Sequence, residues 1–310
     1  MGGGIKMEVD QHLKQELLEK LSNFKETIPV YSIRNLSYKE MEKNAKYYAD
    51  QFIEEDSHEY FKSSIQQDEA STIINLPNDT KMRIFYNSNT MIIKRKLKPF
   101  DHLIEDAFDK KQLTEVAINT MKRLDLDKNR LSFEQVEFER LWQIKASGIT
   151  IEKKIAPVIL CRIVGAFRRY INQIPVYGKA SIFVKISGNN LIESVGIDWR
   201  QIEEKSIDDV KINNPESAAE LILRNLNSYS PSMAVTSQDY KPEFFSLGYF
   251  SMPKKQQQNY MQPVYVAMFK SVGWTSLNRL ITIPATNDVY EPICRTPSAF
   301  ISTNQVKNNS

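Results

Sequence analysis

The middle of the 310-residue chain contains four consecutive segments rich in aromatic and β-branched residues, separated by short turn-forming runs. These segments are residues 131–146, 155–171, 176–186 and 191–199. The turn Gly188-Asn-Asn190 is of the kind that joins the two strands of a hairpin. Because parallel strands need a long crossover between them, strands this close in sequence predict an antiparallel sheet.

Amphipathic patterns predict helices on both sides of these strands. Ser37 and Glu40 form a capping box, in which the two side chains satisfy backbone donors at the start of a helix. Asn214 and Pro215 mark a second helix start, as an N-cap followed by a first-turn proline. The predicted helices cover residues 9–25, 37–54, 102–124 and a segment that begins at residue 215.

The remaining segments complete the pattern of predicted elements. Residues 55–80 are polar and lack periodicity, so they predict a loop. A β-hairpin follows, in which residues 82–86 and 91–95 flank the turn Asn87-Ser-Asn-Thr90. Closing strands are predicted at residues 240–252, 264–269 and 277–283.

Helices followed by runs of neighbouring strands occur twice along the chain, which differs from the alternating order of a nucleotide-binding sheet. This order predicts an α+β fold with antiparallel, curved sheets that are each covered by helices. We expect an N-terminal helix-plus-hairpin unit at residues 1–100 and a larger α+β domain at residues 101–295. The polar residues 296–310 predict a disordered tail.

The composition argues against several classes of function. Lysine and arginine number 41 against 38 aspartate and glutamate, a balance too even to indicate a nucleic-acid partner. Three histidines and two cysteines are too few and too dispersed for a local zinc motif. Only ten glycines are present, and neither common phosphate-binding glycine motif occurs. We therefore expect no metal and no cofactor.

A basic run at residues 93–98 offers two interpretations. Its clustered cations could contact phosphates. On a strand, however, Lys94, Lys96 and Lys98 would line one face, which is also how edge strands avoid pairing with other chains. Since the whole chain is nearly neutral, we favour the protected edge.

No transmembrane helix is expected from the sequence. The longest apolar run, residues 155–167, is interrupted by Arg162 and is shorter than the roughly 20 residues that span a bilayer. Residues 1–6 lack the apolar segment of a signal peptide, so a cytoplasmic protein and a secreted protein whose signal has been removed both stay open. Cys161 and Cys294 do not decide between these compartments.

The most suggestive constellation combines Asp198 and Trp199 with Arg168 and Arg169 on a preceding strand. A carboxylate, two guanidinium groups and an aromatic wall in one concavity would form a ligand pocket. The alternative is a cross-strand ion pair beside a core tryptophan, which ordinarily stabilises a sheet.

Two further acidic patterns are candidate sites. Glu137 and Glu139 could form a carboxylate pair for acid–base chemistry, although solvent-facing acids are commoner on strands. Asp125-Leu-Asp127-Lys-Asn129 begins like a calcium-binding loop, but Arg130 replaces the required glycine and Val136 the required glutamate. The second pattern therefore favours a polar turn.

Residues 162–199 resemble the PepSY-like and thermolysin-propeptide-like (FTP-type) domains. In these domains a strand leads through an Ile-Pro-Val-x-Gly turn into a hairpin, and Ile174-Pro-Val-Tyr-Gly178 matches that turn. The earlier helix and hairpin at residues 37–96 weakly repeat the same unit. The resemblance therefore implies two tandem PepSY/cystatin-like units.

The resemblance also implies a noncatalytic role, since such modules inhibit or chaperone peptidases. His58-Glu-Tyr-Phe-Lys62 has lysine where the zinc motif of a peptidase needs its second histidine, so no peptidase domain is indicated. We interpret the chain as a binding or regulatory protein, inhibitor-like or chaperone-like, with a protein, a peptide or a small apolar ligand as partner. The expected ligand-binding residues are Arg168, Arg169, Tyr177 and Trp199.

The alternative is a cofactor-independent enzyme that acts on a small or apolar molecule in an aromatic-lined pocket. Asp198 or Glu137 would then supply the catalytic carboxylate, and Arg168 would hold an anionic group of the substrate. A deep cavity with a carboxylate at its floor would favour this second interpretation.

Overall fold

The computed structural model describes residues 9–62, 65–98, 101–104, 108–147, 158–227, 236, 238–272 and 278–293. The chain divides into two compact units. The first unit comprises Met1–Ser32, Glu203–Phe250 and Tyr260–Ser310, and the second comprises Ile33–Ile202 and Ser251–Asn259. The expected boundary at residue 100 thus falls inside the second unit, and the expected tail at 296–310 lies outside the described residues.

Helices and strands alternate in groups along the chain. The helices are α1 (Gln11–Leu18), α2 (Tyr38–Ile53), α3 (His58–Lys62), α4 (Lys110–Arg123) and α5 (Pro215–Asn227). The strands are β1 (Leu21–Ser22), β2 (Thr27–Ser32), β3 (Ile65–Asp68), β4 (Ser71–Leu76), β5 (Thr80–Phe85), β6 (Thr90–Arg95), β7 (Glu134–Ala146), β8 (Ile159–Ile171), β9 (Ile174–Gly178), β10 (Ser181–Ile186), β11 (Ile192–Ile197), β12 (Asp208–Lys211), β13 (Tyr240–Ser251), β14 (Tyr260–Met261), β15 (Pro263–Ser271) and β16 (Arg279–Pro284).

The second unit contains an antiparallel sheet with the strand order β7-β8-β10-β11-β6-β5-β4-β3. The short strand β9 pairs with the last two residues of β8. Ile182 lies opposite Phe167 on one side and Ile197 on the other, so that apolar side chains align across three strands on one face. This alignment places the core of the unit on that face of the sheet.

Helices α2 and α4 supply the other side of this core. The predicted capping box of α2 is confirmed, because Ser37 and Glu40 satisfy each other's backbone N–H groups. Helix α4 approaches β8 closely at Gly165, where an added Cβ would lie 2.5 Å from the Cβ of Ala117. The absence of a side chain at this position therefore sets the distance between helix and sheet.

The first unit is also α+β. Strands β16, β15 and β13 form an antiparallel sheet, and the two-residue strand β1 lies parallel beside β13. A separate antiparallel sheet has the order β12-β2-β14. Helix α5 packs against β16, and α1 packs against α5. The predicted α+β class with antiparallel sheets is thus confirmed.

Three local predictions need correction. Residues 55–80 are not a loop, because they form α3, β3 and β4; buried Ser71 and Thr72 give β4 its polar composition. Two predicted helices are too long, since α1 ends at Leu18, well before residue 25, and α4 begins at Lys110, after the expected start at residue 102. Strand β6 is not a protected edge, since it pairs with β5 on one side and β11 on the other. Among the described helices none is both long and apolar enough to cross a membrane.

Candidate functional site

Arg169 and Trp199, two of the expected ligand-binding residues, are in direct contact inside the second unit. The guanidinium carbon of Arg169 lies 4.3 Å from the ring centroid of Trp199. Its Nε donates to Glu134 at 2.7 Å, and its Nη1 donates to the carbonyl of Arg200 at 2.7 Å. Burial lowers the pKa of Arg169, and the Glu134 carboxylate opposes this shift. Glu134, Arg169, Trp199 and Arg200 are all buried, and we call these four residues the sealed end of the sheet.

Arg168 and Tyr177, two further expected ligand-binding residues, contact each other. The guanidinium carbon of Arg168 is 4.9 Å from the Tyr177 ring centroid, and its Nη2 pairs with Glu139. Glu137 lies directly opposite Arg168 on β7 and is exposed. A bulge between Phe138 and Arg140 contains Glu139, so the two acids do not follow one regular strand face. Their joint role as an acid–base pair stays a prediction.

Asp198 is buried, accepts a hydrogen bond from buried Thr90 and interacts with the charge of half-buried Lys254. Burial raises the pKa of Asp198, against a hydrogen bond from Thr90 and the charges of Lys254 and other cations. Thr90 in turn accepts a hydrogen bond from the Ser88 hydroxyl at 2.8 Å. The Oδ1 atom of Asp198 is buried and has no hydrogen-bond partner among the residues that the structure describes. The carboxylate is thus perturbed, which makes it a candidate functional group.

The segment that carries Lys254 is fixed to the sheet by several contacts. Arg200 donates to the carbonyls of Pro253 at 3.1 Å and Gln256 at 2.7 Å. The Lys254 Nζ lies 4.6 Å from the centroid of the Phe85 ring. Burial lowers the pKa of Lys254, while Asp198 opposes that shift. Asp198 and Lys254 are therefore an acid and a base whose pKa values move toward each other.

A narrow cleft opens between α2, the 125–130 turn and the end of β11. Trp199, buried at 4% exposure, lines this cleft together with Tyr48 from α2. The indole N–H of Trp199 is buried and has no acceptor within the described part of the chain. The other polar residues of the wall are Asn44, Asn89, Asp127, Asn129 and Gln201. Leu36, Met91, Leu126 and Ile197 complete the wall, so polar and apolar groups both line the cleft.

The 125–130 turn uses its acidic groups within the protein. Asp125 accepts a hydrogen bond from Tyr47 at 3.0 Å, and Asp127 lies 3.3 Å from Arg130. Lys128 Nζ sits 3.2 Å above the Tyr47 ring centroid, and burial lowers the pKa of Lys128 to about 8. Nowhere in the described ranges do three or more His, Cys, Asp or Glu side chains gather as metal ligands. These contacts fit the polar turn favoured from the sequence.

Strand β7 forms one edge of the sheet. It is 13 residues long and pairs with β8, with no second neighbour among the described strands. Its inner side packs Val136, Phe138 and Leu141 against the core. Trp142 and Ile144 instead are 44% and 38% exposed. We call the outer side of this strand the β7 edge.

Sequence reasoning missed the partners of Asp198 and the exposed aromatic of β7. Thr90 and Lys254 are far from Asp198 in sequence, and no local pattern connects them. Trp142 could have been found, because Leu141 and Trp142 are neighbours on a predicted strand and must face opposite sides. Cys161 is a buried thiol, and Cys294 lies outside the described residues.

No protein-family model and no curated protein matches the sequence. One solved structure that is similar is an uncharacterized protein from Eubacterium rectale ATCC 33656. The likeness covers 89% of this chain and 92% of that chain, with 12% sequence identity and a TM-score of 0.49. A likeness of this degree assigns neither a family nor an activity.

Proposed function

We propose that the chain is a noncatalytic binding protein that takes up an extended segment of a partner protein along the β7 edge. One observation carries the proposal: a long edge strand exposes Trp142 and Ile144 while its backbone pairs on one side only within the described residues. An added strand would gain main-chain hydrogen bonds from this edge, and side-chain contacts would supply selectivity.

The bulges of β7 limit where such a segment can pair. The register of β7 against β8 shifts between Phe138 and Arg140 and again between Ile144 and Lys145. Regular pairing is thus available from Arg140 to Ile144. Glu137, Glu139 and the first bulge protect the other half, because bulges and charges discourage strand addition.

The chemistry of this short stretch defines the partner segment. Trp142 and Ile144 stand on one side of the strand, and the guanidinium carbon of Arg140 lies 5.3 Å from the Trp142 ring centroid. Exposed tryptophan, with its large surface and few rotatable bonds, is typical of residues that dominate binding energy. We expect a partner segment that is extended and carries apolar residues at alternate positions.

The resemblance to PepSY-like and thermolysin-propeptide-like domains supports the same role. The matching residues form the antiparallel strands β8 to β11, and α2 precedes the β5–β6 hairpin in the second unit. Two tandem PepSY/cystatin-like units are part of this proposal. A peptidase or another protein bound by its extended segment would be the natural partner of such a module.

A second candidate function is the enzyme that uses Asp198. The buried, unpartnered Oδ1 and the neighbouring Lys254 favour it. The cleft next to it, however, is lined by Trp199 and Asp127 and not by Asp198. Turnover of a small molecule that disappears in Asp198→Asn, with an unchanged melting temperature, would support this candidate over the binding role.

Selection from a displayed random-peptide library tests the binding proposal. Peptides selected on the native protein are expected to bind about tenfold more weakly to Trp142→Ala, the loss of one side-chain anchor. Ile65→Ala is the matched control, since Ile65 is 49% exposed on β3, the strand at the other edge of the same sheet. Equal binding to Trp142→Ala and native protein would contradict the proposal.

Backbone chemistry provides a second arm of the experiment. In an added strand, alternate N–H groups point toward the protein and the others point away. N-methylation of one alternate set in the selected peptide should abolish binding, and N-methylation of the other set should leave it intact. If both modified peptides bind like the parent, strand addition is the wrong mechanism.

A further inference from the structure

A second, wider cleft in the second unit lies between the end of α2, strand β6 and the turn that joins β10 to β11. Its volume is about 410 Å³, within the range typical of sites for small organic molecules. Polar side chains line it, namely those of Arg95, His102, Asn189 and Asn190. We call it the β6 cleft. It shares no lining residue with the narrow cleft beside Trp199.

The 188–190 turn and the segment that carries His102 are fixed to each other. The backbone N–H of Gly188 donates to the carbonyl of His102 at 2.6 Å. A Cβ at Gly188 would collide with the carbonyl oxygen of Leu103, so this approach requires glycine. Asn189 and Asn190 both have positive φ, which asparagine tolerates better than most residues. The turn and the His102 segment therefore form one defined wall of the β6 cleft.

Arg95 lines the cleft from strand β6. Its guanidinium carbon lies 5.0 Å from the centroid of the Phe52 ring, and Phe52 is buried. A guanidinium held by an aromatic ring keeps its N–H groups for other partners. Within the described part of the chain, no hydrogen bond or ion pair engages the Arg95 side chain. Arg95 thus brings a positioned cation to the cleft without a carboxylate to neutralise it.

The charges around Arg95 favour an anion. Arg123 and Glu54 also line the cleft, and they compensate each other as an ion pair at 2.9 Å. The charge of Arg95 is left over. A neighbouring cleft shares Glu54 and Arg123 but adds three acidic side chains, at positions 50, 55 and 56. An anion is therefore favoured beside Arg95 and disfavoured in the neighbouring cleft.

The donors of the β6 cleft come from three separate segments, which indicates the shape of the anion. Arg95 is on β6, His102 follows that strand, and Asn189 and Asn190 are in the 188–190 turn. The imidazole and both amides carry N–H groups that donate to no other described residue. A phosphate group has three strong acceptor oxygens that point in different directions, whereas a carboxylate has two in one plane. Phosphate therefore matches these donors better.

We infer that the β6 cleft binds a small phosphate monoester, in which the phosphate is carried by a sugar or a nucleoside. Arg95 contacts two phosphate oxygens with its planar fork of N–H groups. His102 and the amides of Asn189 and Asn190 contact the remaining oxygen. The half-buried apolar side chains at 191–192 pack against the sugar or the base. This site is independent of the peptide binding proposed for the β7 edge.

Calorimetric titration of the full chain tests the inference. Glucose 6-phosphate and adenosine 5′-monophosphate are the probes, and glucose, adenosine and inorganic phosphate are their matched controls. At least one monoester is expected to bind saturably and more tightly than inorganic phosphate, with no binding of its uncharged counterpart. The tighter of the two monoesters identifies a sugar or a nucleoside as the carrier. If neither monoester binds more tightly than inorganic phosphate, the inference fails.

Two neighbouring variants of β6 separate a specific site from general charge attraction. Arg95→Gln is expected to weaken monoester binding about tenfold or more, because a hydrogen-bonded charge is lost. Lys94→Gln removes the same charge from the next residue of the strand, whose side chain is on the opposite face. It should leave binding unchanged. Equal weakening in both variants would overturn the inference.

The turn provides a variant that does not depend on the packing of Arg95. Asn190→Gly removes the amide and keeps a residue for which positive φ is unstrained, so the turn should be retained. Binding is expected to weaken about fivefold, the loss of one hydrogen bond. Thermal unfolding checks that Arg95→Gln and Asn190→Gly are folded, and unchanged binding in folded Asn190→Gly and Arg95→Gln would contradict the site.

Trp142→Ala separates this inference from the proposed function. This variant is expected to lose binding of the selected peptide and to keep binding of the monoester. Arg95→Gln should show the reverse pattern. Failure of one proposal is therefore distinguishable from failure of the other.

Discussion

The β7 edge and the sealed end both contain an arginine stacked on a tryptophan, in opposite surroundings. Arg140 lies 5.3 Å from the ring of Trp142, which is 44% exposed. Arg169 lies 4.3 Å from the ring of Trp199, which is 4% exposed. The same pair of residue types thus serves two purposes. Burial and hydrogen-bond partners decide whether the pair is available for recognition or supports the fold.

The difference arises from what holds each guanidinium. Arg169 is fixed by Glu134 and by the carbonyl of Arg200, so its stacking geometry is fully determined by the protein. Arg140 is exposed, and its polar atoms stay accessible to water or a partner. Residue type alone therefore says little about function at either position. Measurements of stability and of binding separate the two regions.

The largest effect is expected from removing the partner of the buried arginine. Glu134→Ala leaves the Arg169 charge buried without compensation and should lower the free energy of unfolding by about 3–5 kcal/mol. Glu139→Ala removes the half-exposed partner of Arg168 and should cost about 0–1 kcal/mol. Urea unfolding measures both. Equal losses would show that the sealed end is not distinct from the edge.

Overpacking between α4 and β8 is expected to have the next largest effect. Gly165→Ala places a Cβ 2.5 Å from the Cβ of Ala117, which cannot rotate away, and should cost about 1–3 kcal/mol of unfolding free energy. At Gly196 an added Cβ meets the Phe183 ring, a side chain that can turn. Gly196→Ala should therefore lower the free energy of unfolding by less than Gly165→Ala does. Thermal unfolding of both variants measures the difference. The reverse order would contradict the described helix–sheet contact.

Truncation at the β7 edge should affect binding and spare stability. Trp142→Ala is expected to weaken binding of the selected peptide by about 1.4 kcal/mol, or tenfold. The same substitution should change the free energy of unfolding by about 0.5 kcal/mol or less. Calorimetric titration measures the affinity for the peptide, and urea unfolding measures the free energy of unfolding. A variant that loses stability and keeps its affinity would place Trp142 in the core instead of at a binding surface.

The smallest effect concerns pH and Asp198. Its pKa is raised in the folded state above the ordinary 3.8, so between these two values the native protein binds more protons than the unfolded chain. Stability from this group is present below pH 3.8 and is lost as pH rises through the folded pKa. In urea unfolding at a series of acidic to neutral pH values, the free energy of unfolding of Asp198→Asn should therefore exceed that of the native protein by an amount that increases as pH rises. A difference between the two proteins that stays constant with pH would contradict the raised pKa of Asp198.

Elements with a local signature could be predicted from the sequence. The start of α2 follows from Ser37 and Glu40, and the buried positions of that helix follow from helical spacing. The β5–β6 hairpin and the strands β7, β8, β10 and β11 follow from turn-forming residues between apolar runs, whereas the single strand predicted at 176–186 is divided into β9 and β10. These features depend on neighbours in sequence, which pattern reasoning can see.

Features that depend on distant contacts could not be predicted. Ser71 and Thr72 are buried in β4, where the sheet satisfies a polar segment that looks like a loop. Strand β6 is interior because β11, about a hundred residues later, pairs with it. The hydrogen bond of Asp198 with Thr90 and its charge interaction with Lys254 have the same origin. Long-range pairing, which no local pattern encodes, decided each of these cases.

Amide hydrogen exchange along β7, measured with and without a selected peptide, shows whether a partner strand adds to this edge. Strand addition should slow the exchange of alternate backbone amides between Arg140 and Ile144 when the peptide is bound, because an added strand accepts their hydrogen bonds. Exchange in β3, at the other edge of the sheet, should not change. Unchanged exchange in β7 together with new protection elsewhere would contradict the proposed binding edge.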